Sequence, residues 1–181
     1  MLTGERVCLR PVAAGDIDEL WRRHVDIDNR GDYYPRGIVG EATFRKRFDE
    51  NGLWSRDEGT LVIVDPGDAI IGHIEFFRTV SYLDEAELSY QLYDRAFDGK
   101  GYVSEAVRLL VRYLFETRPL SRIRLVIHPD NGGSQRVAAK EGFRLEGTMR
   151  KAWFHRGRHH DVQLWSILRD EVVPPVERPD G

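Results

Sequence analysis

The sequence predicts an α/β fold in which a sheet is flanked by helices within a single domain. Apolar residues recur with the period of a strand in some segments and with the period of a helix in others. The two kinds of segment alternate along the chain in the order strand, two helices, three strands, helix, strand, helix and two strands. The chain has 181 residues, which suits one domain.

The first third of the chain predicts one strand and two helices. Residues 6–10 alternate polar and apolar side chains, as in a short strand. Residues 16–25 predict a helix, because Asp16 can accept its first free N–H groups and apolar residues return at helical spacing. Residues 26–40 are polar and rich in turn formers, which predicts a loop. Residues 41–52 predict a second helix that ends at a left-handed glycine.

The middle of the chain predicts three strands and the longest helix. Residues 60–64 and 69–77 form a predicted hairpin, and residues 85–93 alternate as a third strand. A helix then begins near Tyr102 or Val103. Its apolar side chains form one wide stripe, which predicts that one face of this helix is well buried.

The last third predicts a strand at residues 123–127 and a short helix at residues 131–142. Residues 143–154 and 158–168 follow as a hairpin that turns near a glycine.

Composition excludes several classes of protein. Hydrophobic residues make up 41%, charged residues 31%, and the net charge is −3, as in ordinary globular proteins. No run approaches the roughly 18 apolar residues that a membrane span needs, and the acidic balance argues against nucleic acid as a partner. The start of the chain lacks a secretory signal, so the expected location is cytoplasmic. Residues 1–170 form the predicted domain, and residues 171–181 a flexible tail.

A glycine-rich segment joins the strand at residues 85–93 to the long helix. Gly99 and Gly101 lack Cβ atoms, so the backbone there can turn tightly and approach a ligand closely. The helix that follows offers unpartnered N–H groups and about half a positive charge at its N-terminus. These features suit a phosphate, although the segment fits neither the dinucleotide fingerprint nor the Walker A loop. From this segment alone, a plain glycine turn is the equal alternative.

Four ordered motifs connect the chain to a known family: CLRPVAAGDIDELW, GKGYVSEAV, NGGSQRVAAKEGFRLEG and GRHHDVQLWSIL. With them the chain resembles the GNAT N-acetyltransferase superfamily, and within it the RimJ- and RimL-like ribosomal-protein N-terminal acetyltransferases. The resemblance covers nearly the whole chain. It implies a GNAT-type fold with a mixed, mostly antiparallel sheet that is splayed at its centre, and acetyl-CoA as co-substrate in the resulting cleft.

The resemblance also implies cofactor-binding residues. The family's pyrophosphate loop falls on Asp98, Gly99, Lys100, Gly101, Tyr102 and Val103. Asp98 and Val103 depart from the family's pattern, which affects affinity more than cofactor identity, because main-chain N–H groups hold the phosphates. The position of Asn131 contacts the pantetheine arm in the family. Arg136 and Lys140 either reach the 3′-phosphate of CoA or only solvate their helix.

The chemistry requires an oxyanion donor, an acid and a base. The family's splay lies between residues 87–93 and 123–128, and it points to the backbone N–H of Leu92 or Tyr93 as the donor. A hydroxyl at the position of Ser134 is thought to protonate the departing thiolate in the family. Ser134 as a residue that caps its own helix is the alternative.

For the base, the sequence favours Glu87, whose spacing to the loop is similar to that of the catalytic glutamate in histone acetyltransferases of the superfamily. An exposed strand carboxylate is the competing interpretation. His73 and Glu75 share a face of the neighbouring strand and are the reserve candidates, since either can relay a proton through water. Trp153 stands where some RimL-like relatives carry a glutamate proposed as base.

The function implied is direct transfer of acetyl to a primary amine in a ternary complex, without a covalent intermediate. The acceptor is a small-molecule amine or a protein N-terminus. The alternative is an acyl-CoA-binding GNAT-like protein without amine acetylation, or one recruited to a different reaction. Relatives often pair through sheet edges, so a homodimer is a further expectation.

Several other residues bear on the acceptor and on metals. The region of the family's acceptor pocket contains four aromatic residues, Trp21, Tyr33, Tyr34 and Trp54. No metal is expected, because neighbouring strand residues point to opposite faces and no set of ligands is complete. Three histidines near the last hairpin are therefore interpreted as solvated strand residues, His155, His159 and His160.

Overall fold

The structure, a computed structural model, describes residues 1–173, and of Asn29 only the backbone. Its strands are β1 (Leu2–Thr3), β2 (Cys8–Pro11), β3 (Glu58–Val64), β4 (Ile70–Phe77), β5 (Glu85–Leu92), β6 (Arg122–Ile127), β7 (Arg144–His155) and β8 (Arg158–Leu168). Its helices are α1 (Ile17–Val25), α2 (Glu41–Asn51), α3 (Tyr102–Thr117), α4 (Gly132–Lys140) and α5 (Arg169–Val172). Each helix and strand predicted from the sequence has a counterpart among these elements.

The strands form one sheet in the order β1-β2-β3-β4-β5-β6-β8-β7. Neighbouring strands are antiparallel except β5 and β6, which are parallel. This pair is registered only from Glu85 opposite Arg122 to Glu87 opposite Arg124. Beyond it, β5 stays paired with β4 and β6 with β8, so the sheet opens between them. The predicted mixed, mostly antiparallel sheet with a central splay is confirmed.

One face of the sheet is covered by α3, whose apolar stripe is the centre of the main core. Val107, Leu110 and Leu114 are fully buried there, packed with residues of β3 to β6. Burial of each such side chain contributes about 1.5 to 3 kcal/mol. The predicted burial of one face of this helix is confirmed, and it fixes the N-terminus of α3 beside the gap.

The opposite face carries α1 and α2 over a smaller core. Leu20 of α1 and Phe44 and Phe48 of α2 pack on Val62 and Val64 of β3. These contacts cover only the β2–β3 end of this face. On the same face, polar side chains of β4 and β5 contact the long loop that joins α1 to α2.

The end of the predicted domain needs a correction. Residues 169–172 form the short helix α5, because the N–H of Leu168 donates to the Glu171 carboxylate at 2.8 Å. Val172 and Val173 pack against the main core. The first residues of the predicted tail are therefore part of the domain. Residues 174–181 lie outside the described residues.

Candidate active site

The gap between β5 and β6 is the first component of the site. Where the two strands separate, the edge of β5 that faces β6 no longer has a neighbouring strand. Main-chain N–H and C=O groups on such an edge can bind an extended ligand as a further strand would. The gap lies at the carboxyl ends of two parallel strands, a usual place for ligands in α/β sheets.

The hydrogen-bond pattern of β5 decides which amide faces the gap. The N–H of Tyr93 donates to the carbonyl of Ile71 at 2.9 Å, which corrects the prediction of Tyr93 as an oxyanion donor. Opposing residues of an antiparallel pair alternate between bonded and non-bonded positions. Leu92, opposite Gly72, therefore directs its N–H away from β4 and toward the gap. Leu92 stays the candidate donor.

The glycine segment lies directly after β5. Gly99 and Gly101 have φ values of 72° and 84°, a left-handed conformation that favours glycine. The first main-chain bond of α3 runs from the Glu105 N–H to the Gly101 carbonyl, at 3.1 Å. The N–H groups of Tyr102 and Val103 consequently have no partner within the helix. This cradle of amides fits a diphosphate, although the positions of Asp98 and Lys100 as ligands stay a prediction.

A buried carboxylate braces this segment from behind. Glu105 is 4% exposed and accepts N–H groups from Glu5, Arg6 and Val7 at 3.0, 2.7 and 2.9 Å. Burial opposes its ionisation, but the three donors hold the pKa of Glu105 below its usual value. Arg6 in turn donates to the carbonyl of Lys100 at 3.2 Å. Sequence reasoning missed this brace, because Glu105 and its partners are far apart in the chain.

The N-terminus of α4 forms the other side of the gap. Asn131 caps the helix, because its Oδ1 accepts the Ser134 N–H at 3.0 Å. Ser134 is therefore not the cap, and its hydroxyl is free of that role. The Tyr90 hydroxyl of β5 is buried, and the Ser134 side chain lies near it. Burial raises the pKa of Tyr90 to about 12, and the nearby Ser134 side chain partly offsets the effect.

Two basic residues of α4 differ in their surroundings. Lys140 lines a cavity of about 130 Å³ beside the cofactor segment, together with Arg6, Gly101 and Arg108. Arg136 lies near Gly132 at the start of the helix. Contact of Arg136 with CoA stays a prediction.

The predicted base Glu87 lies where β5 and β6 begin to separate. Its carboxylate accepts the Arg124 Nε–H at 3.0 Å, and the same guanidinium also donates to Glu85 at 2.9 Å. Burial raises the pKa of Glu87, and Arg124 acts in the opposite direction. Glu87 is thus half-buried and ion-paired, rather than the exposed strand carboxylate of the competing interpretation.

A second polar cluster lies on the same face, further along the gap. The Tyr34 hydroxyl lies 2.8 Å from His73 Nε2 and donates to Glu75 Oε1 at 3.1 Å. His73 Nδ1 lies 3.0 Å from the Tyr93 hydroxyl. Burial lowers the pKa of His73, opposed by Glu75. The cluster unites both reserve candidates for the base with two tyrosines. Its sequence signals were the pattern of residues 73 and 75 and the place of Tyr34 in the expected acceptor region.

Arg30 holds the loop that carries Tyr34. This arginine is 4% exposed, and its guanidinium donates to the carbonyls of Pro35 and Gly37 at 2.7 and 2.8 Å. It also donates to the carbonyl of His24, at the end of α1. Arg30 thereby converts a segment without regular structure into a fixed part of the site. Nothing in the local sequence pattern indicated this role.

The β7–β8 hairpin and the end of β6 form the far rim of the acceptor side. Trp153 stacks on His155 with ring centroids 4.1 Å apart, and His128 lies 3.1 Å from His160 between ring nitrogens. Tyr33 stacks on His128. His155 is 6% exposed, so its interpretation as a solvated strand residue is wrong. His155 lies instead beside the backbone of Asp32, in the loop that joins α1 to α2.

Two of the predicted acceptor aromatic residues lie elsewhere. Trp54 packs on Phe76 and Tyr113, on the α3 side of the sheet. Trp21 packs on Phe44 between α1 and α2. The predicted pocket is therefore reduced to its two tyrosines.

Two further features of residues 1–173 concern metals and membranes. Within that part of the chain, no group of three or more His, Cys, Asp or Glu side chains is arranged to hold a metal ion. None of the helices described there combines the length and apolar character that a membrane span requires.

The parts of the site together define a class of protein. An open edge of β5, a cradle of free amides at its end and hydroxyl and carboxylate groups beside the gap suit the transfer of an acyl group from a thioester that carries a diphosphate. The fold and the site are those of an acyltransferase.

Comparisons with known proteins identify the family. Residues 6–144 match the acetyltransferase (GNAT) domain. YjcK of Bacillus subtilis, described as a probable N-acetyltransferase, is 34% identical over 183 residues, which cover 94% of this chain and 98% of that protein. The ribosomal-protein-serine acetyltransferase of Escherichia coli is 30% identical over 138 residues, 76% of each chain. The chain belongs to the GNAT family of N-acetyltransferases, as its motifs predicted.

Solved structures agree on the fold. Spermidine N-acetyltransferase from Vibrio cholerae, in complex with CoA and spermine, has a TM-score of 0.80. The match covers 94% of this chain and 99% of that chain at 19% identity. At this identity the likeness shows the fold alone, and it supports the GNAT-type architecture.

Proposed function

We propose that the chain transfers the acetyl group of acetyl-CoA to a primary amine by direct attack in a ternary complex. The observation that carries the proposal is the continuity of the gap with the amide cradle. The Leu92 N–H faces the gap, and the free amides at Tyr102 and Val103 follow at its end. A thioester that extends from a diphosphate fits this arrangement, and a solved relative in the fold holds CoA.

Main-chain groups would hold the co-substrate. The amides around Gly99 and Gly101 would bind the diphosphate, assisted by the positive end of α3. Asn131, which already caps α4, would place the pantetheine arm, and Arg136 would approach the nucleotide end. Asp98 adds a negative charge there, which we expect to weaken binding.

Groups on both sides of the gap would stabilise the developing charge and transfer protons. The Leu92 N–H would stabilise the oxyanion of the tetrahedral intermediate. The Ser134 hydroxyl would protonate the thiolate. A carboxylate on the face shared by β4 and β5 would take the proton of the amine, with Glu87 and Glu75 as the two available groups.

The acceptor is proposed as a small-molecule amine or a protein N-terminus. One relative is named for a ribosomal-protein serine and a structural neighbour for spermidine, and both substrates are amines. Trp153 cannot accept a proton, which argues against a base at the position used in some RimL-like relatives. We also propose a cytoplasmic location, in keeping with the composition, and pairing of two copies through the exposed edge strand β7.

The test measures release of CoA from acetyl-CoA with a panel of amines: spermidine, a peptide that begins with serine, and phenethylamine. Amine-dependent release with any of them supports the proposal. Calorimetric binding of acetyl-CoA without amine-dependent release would favour the alternative, a GNAT-like protein that binds acyl-CoA without acetylating amines. An absence of binding heat with CoA contradicts both.

A further inference from the structure

The cluster of Tyr34, His73, Glu75 and Tyr93 has a single consistent arrangement of protons. An ionised carboxylate only accepts hydrogen bonds, so the Tyr34 hydroxyl proton points to Glu75. The Tyr34 oxygen then accepts from His73, whose Nε2 must carry the ring proton. A neutral imidazole has one N–H, so Nδ1 accepts from the Tyr93 hydroxyl.

Each donated proton in this series of hydrogen bonds consequently points toward Glu75. Tyr93 donates to His73, His73 donates to Tyr34, and Tyr34 donates to Glu75. A proton taken up at the Tyr34 oxygen can therefore be matched by release of the Tyr34 proton to Glu75. Burial and the nearby Glu75 raise the pKa of Tyr34 well above its usual value. The phenol stays protonated at rest, so it can act only by passing its proton on.

The cluster lies beside the open part of the sheet. Glu75 is opposite Ser89, two residues beyond the last β5 residue that pairs with β6. The Tyr34 hydroxyl also interacts with Ser89. Glu87, in contrast, is opposite Phe77 and within the part of β5 that is still paired. Tyr34 thus contacts a β5 residue of the unpaired stretch, whereas Glu87 belongs to the part of β5 that is paired with β6.

The two carboxylates also differ in their partners. Glu87 is in an ion pair with Arg124, whose charge opposes its protonation. Glu75 lies between Thr60 and Ser89 in the sheet, and neither of these residues is charged. The hydrogen bond from Tyr34 is the contact that connects Glu75 to the acceptor loop.

We propose that Tyr34 is the catalytic residue that takes a proton from the acceptor amine while it passes its own proton to Glu75. His73 is a positioning residue that holds the Tyr34 oxygen. This inference rests on the proposed function and adds a residue from the acceptor loop to its machinery.

An N–H bond of the bound ammonium breaks and an O–H bond forms at Tyr34, while the former Tyr34 O–H breaks and an O–H forms at Glu75. The nitrogen lone pair then forms the C–N bond with the thioester carbon, and the C–S electron pair leaves with sulfur. The surplus proton of the amide nitrogen goes to the thiolate, directly or through Ser134. Glu75 later returns its proton to solvent.

Burial lowers the pKa of His73, and the charged groups around the cluster act on it in both directions, since Glu75 opposes this effect. From the acceptor loop, Arg30 faces the imidazole and lowers the pKa of His73 in addition to burial. From α1, Arg23 lies over the Tyr93 ring, and Glu19 also acts on Tyr93. The other titratable neighbour from α1 is His24, whose pKa burial lowers to about 4.

The test compares Tyr34→Phe, Glu75→Gln and Glu87→Gln in the full chain, with Tyr113→Phe on α3 as a matched control for loss of a phenol hydroxyl. The substrates are acetyl-CoA and the panel amine with the highest turnover. Values of kcat and KM are measured from acidic to alkaline pH. Calorimetry with CoA checks that each variant is folded, because the cofactor side shares no side chain with the cluster.

We expect Tyr34→Phe and Glu75→Gln each to lower kcat by about 10²-fold, with KM for acetyl-CoA unchanged. Glu75→Gln should abolish the acidic limb of the pH profile, and Glu87→Gln should retain it. A lost limb in Glu87→Gln, or kcat within about twofold of wild type in either Tyr34→Phe or Glu75→Gln, overturns the inference. Should Tyr34→Phe not bind CoA, Glu75→Gln alone decides. Failure of the proposed function is a separate result, since wild type would then acetylate no panel amine.

Discussion

The cofactor side and the acceptor side of the gap use different kinds of chemical group. On the cofactor side, the oxyanion donor and the diphosphate cradle that we propose are main-chain amides from one stretch, residues 92–104. On the acceptor side, Tyr34, His73 and Glu75 are side chains from two distant segments. Amides point where secondary structure directs them, whereas a side-chain cluster exists only where the fold assembles it.

This difference explains how each side responds to sequence change. Asp98 and Val103 depart from the family's loop pattern, yet the backbone around Gly99 and Gly101 retains its left-handed conformation. On the acceptor side, Trp153 stands where some RimL-like relatives carry a glutamate proposed as base, and an indole cannot accept a proton. We therefore expect single substitutions to change cofactor affinity gradually and acceptor chemistry sharply.

The largest effect on turnover is expected from loss of the Leu92 N–H, the candidate oxyanion donor. Leu92→Pro removes the N–H that faces the gap, and β4 does not need this N–H. We expect kcat to fall by about 10²- to 10³-fold, the usual effect of losing one oxyanion donor. Leu92→Ala, which keeps the amide, is the control. A folded Leu92→Pro variant with wild-type kcat would remove Leu92 from this role.

The next largest effect concerns the acceptor loop. Arg30→Ala removes buried, charge-assisted hydrogen bonds to Pro35 and Gly37 and frees the loop that carries Tyr34. We expect KM for the amine to rise about tenfold or more, while the Kd for CoA stays constant. Steady-state kinetics and calorimetry measure the two quantities.

Arg36→Ala is the matched control for this change. Arg36 lies in the same loop, and its ion pair with Asp28 is at the surface, at 3.5 Å. Such pairs contribute little, so we expect wild-type kinetics. Equal effects of the two variants, or a weaker CoA affinity in Arg30→Ala, would contradict the separation of the two sides.

A smaller effect is expected for the brace of the cofactor segment. Arg6→Ala removes the hydrogen bond to the Lys100 carbonyl. We expect the Kd for CoA to rise about fivefold, as for the loss of one ordinary hydrogen bond, with KM for the amine unchanged. Arg112→Ala, which removes an exposed ion pair with Glu116, is the control. An altered amine KM with unaltered CoA affinity would refute the assignment.

The last prediction concerns stability rather than turnover. The pKa of Glu105 is lower in the folded protein than its ordinary value of 4.5, because three N–H groups bind the ionised form. Its stabilising contribution is complete above the ordinary pKa and is lost as pH falls through the lower folded value. We expect Glu105→Gln to lower the unfolding free energy at neutral pH and to flatten its decline in acid. Denaturant unfolding at a series of pH values measures both, and an equally steep acid decline speaks against the brace.

Local patterns predicted much of the cofactor side. The strand, the glycine segment and the start of α3 follow from residue spacing and glycine chemistry within about twenty positions. The splay and the roles of Asn131 and Ser134 came from the family resemblance. The choice between Leu92 and Tyr93 needed the register of β5 against β4, which the sequence leaves open because a one-residue shift exchanges the roles of neighbouring amides.

The acceptor side was much less accessible to prediction. Tyr34 and His73 are 39 positions apart, and Arg30 lies in a segment that reads only as a polar loop. His155 was expected in solvent, and Trp54 beside the acceptor, since alternation along a strand does not tell which loop will cover a face. Hydrogen bonds across such separations have no signature in a single sequence.

By itself, then, the chain's sequence determined the order of its elements, the buried stripe of α3, the glycine cradle and the family. The first three depend on residues that are close together in the chain, so their spacing in the sequence predicts them. The family follows from the order of the motifs. Only the tertiary structure decided which amide faces the gap and how Arg30 holds the loop that carries Tyr34. It also decided that Glu87 is ion-paired with Arg124, whereas Glu75 accepts a hydrogen bond from Tyr34. Those outcomes depend on register and on packing between distant segments, where a few ångströms separate a hydrogen bond from none.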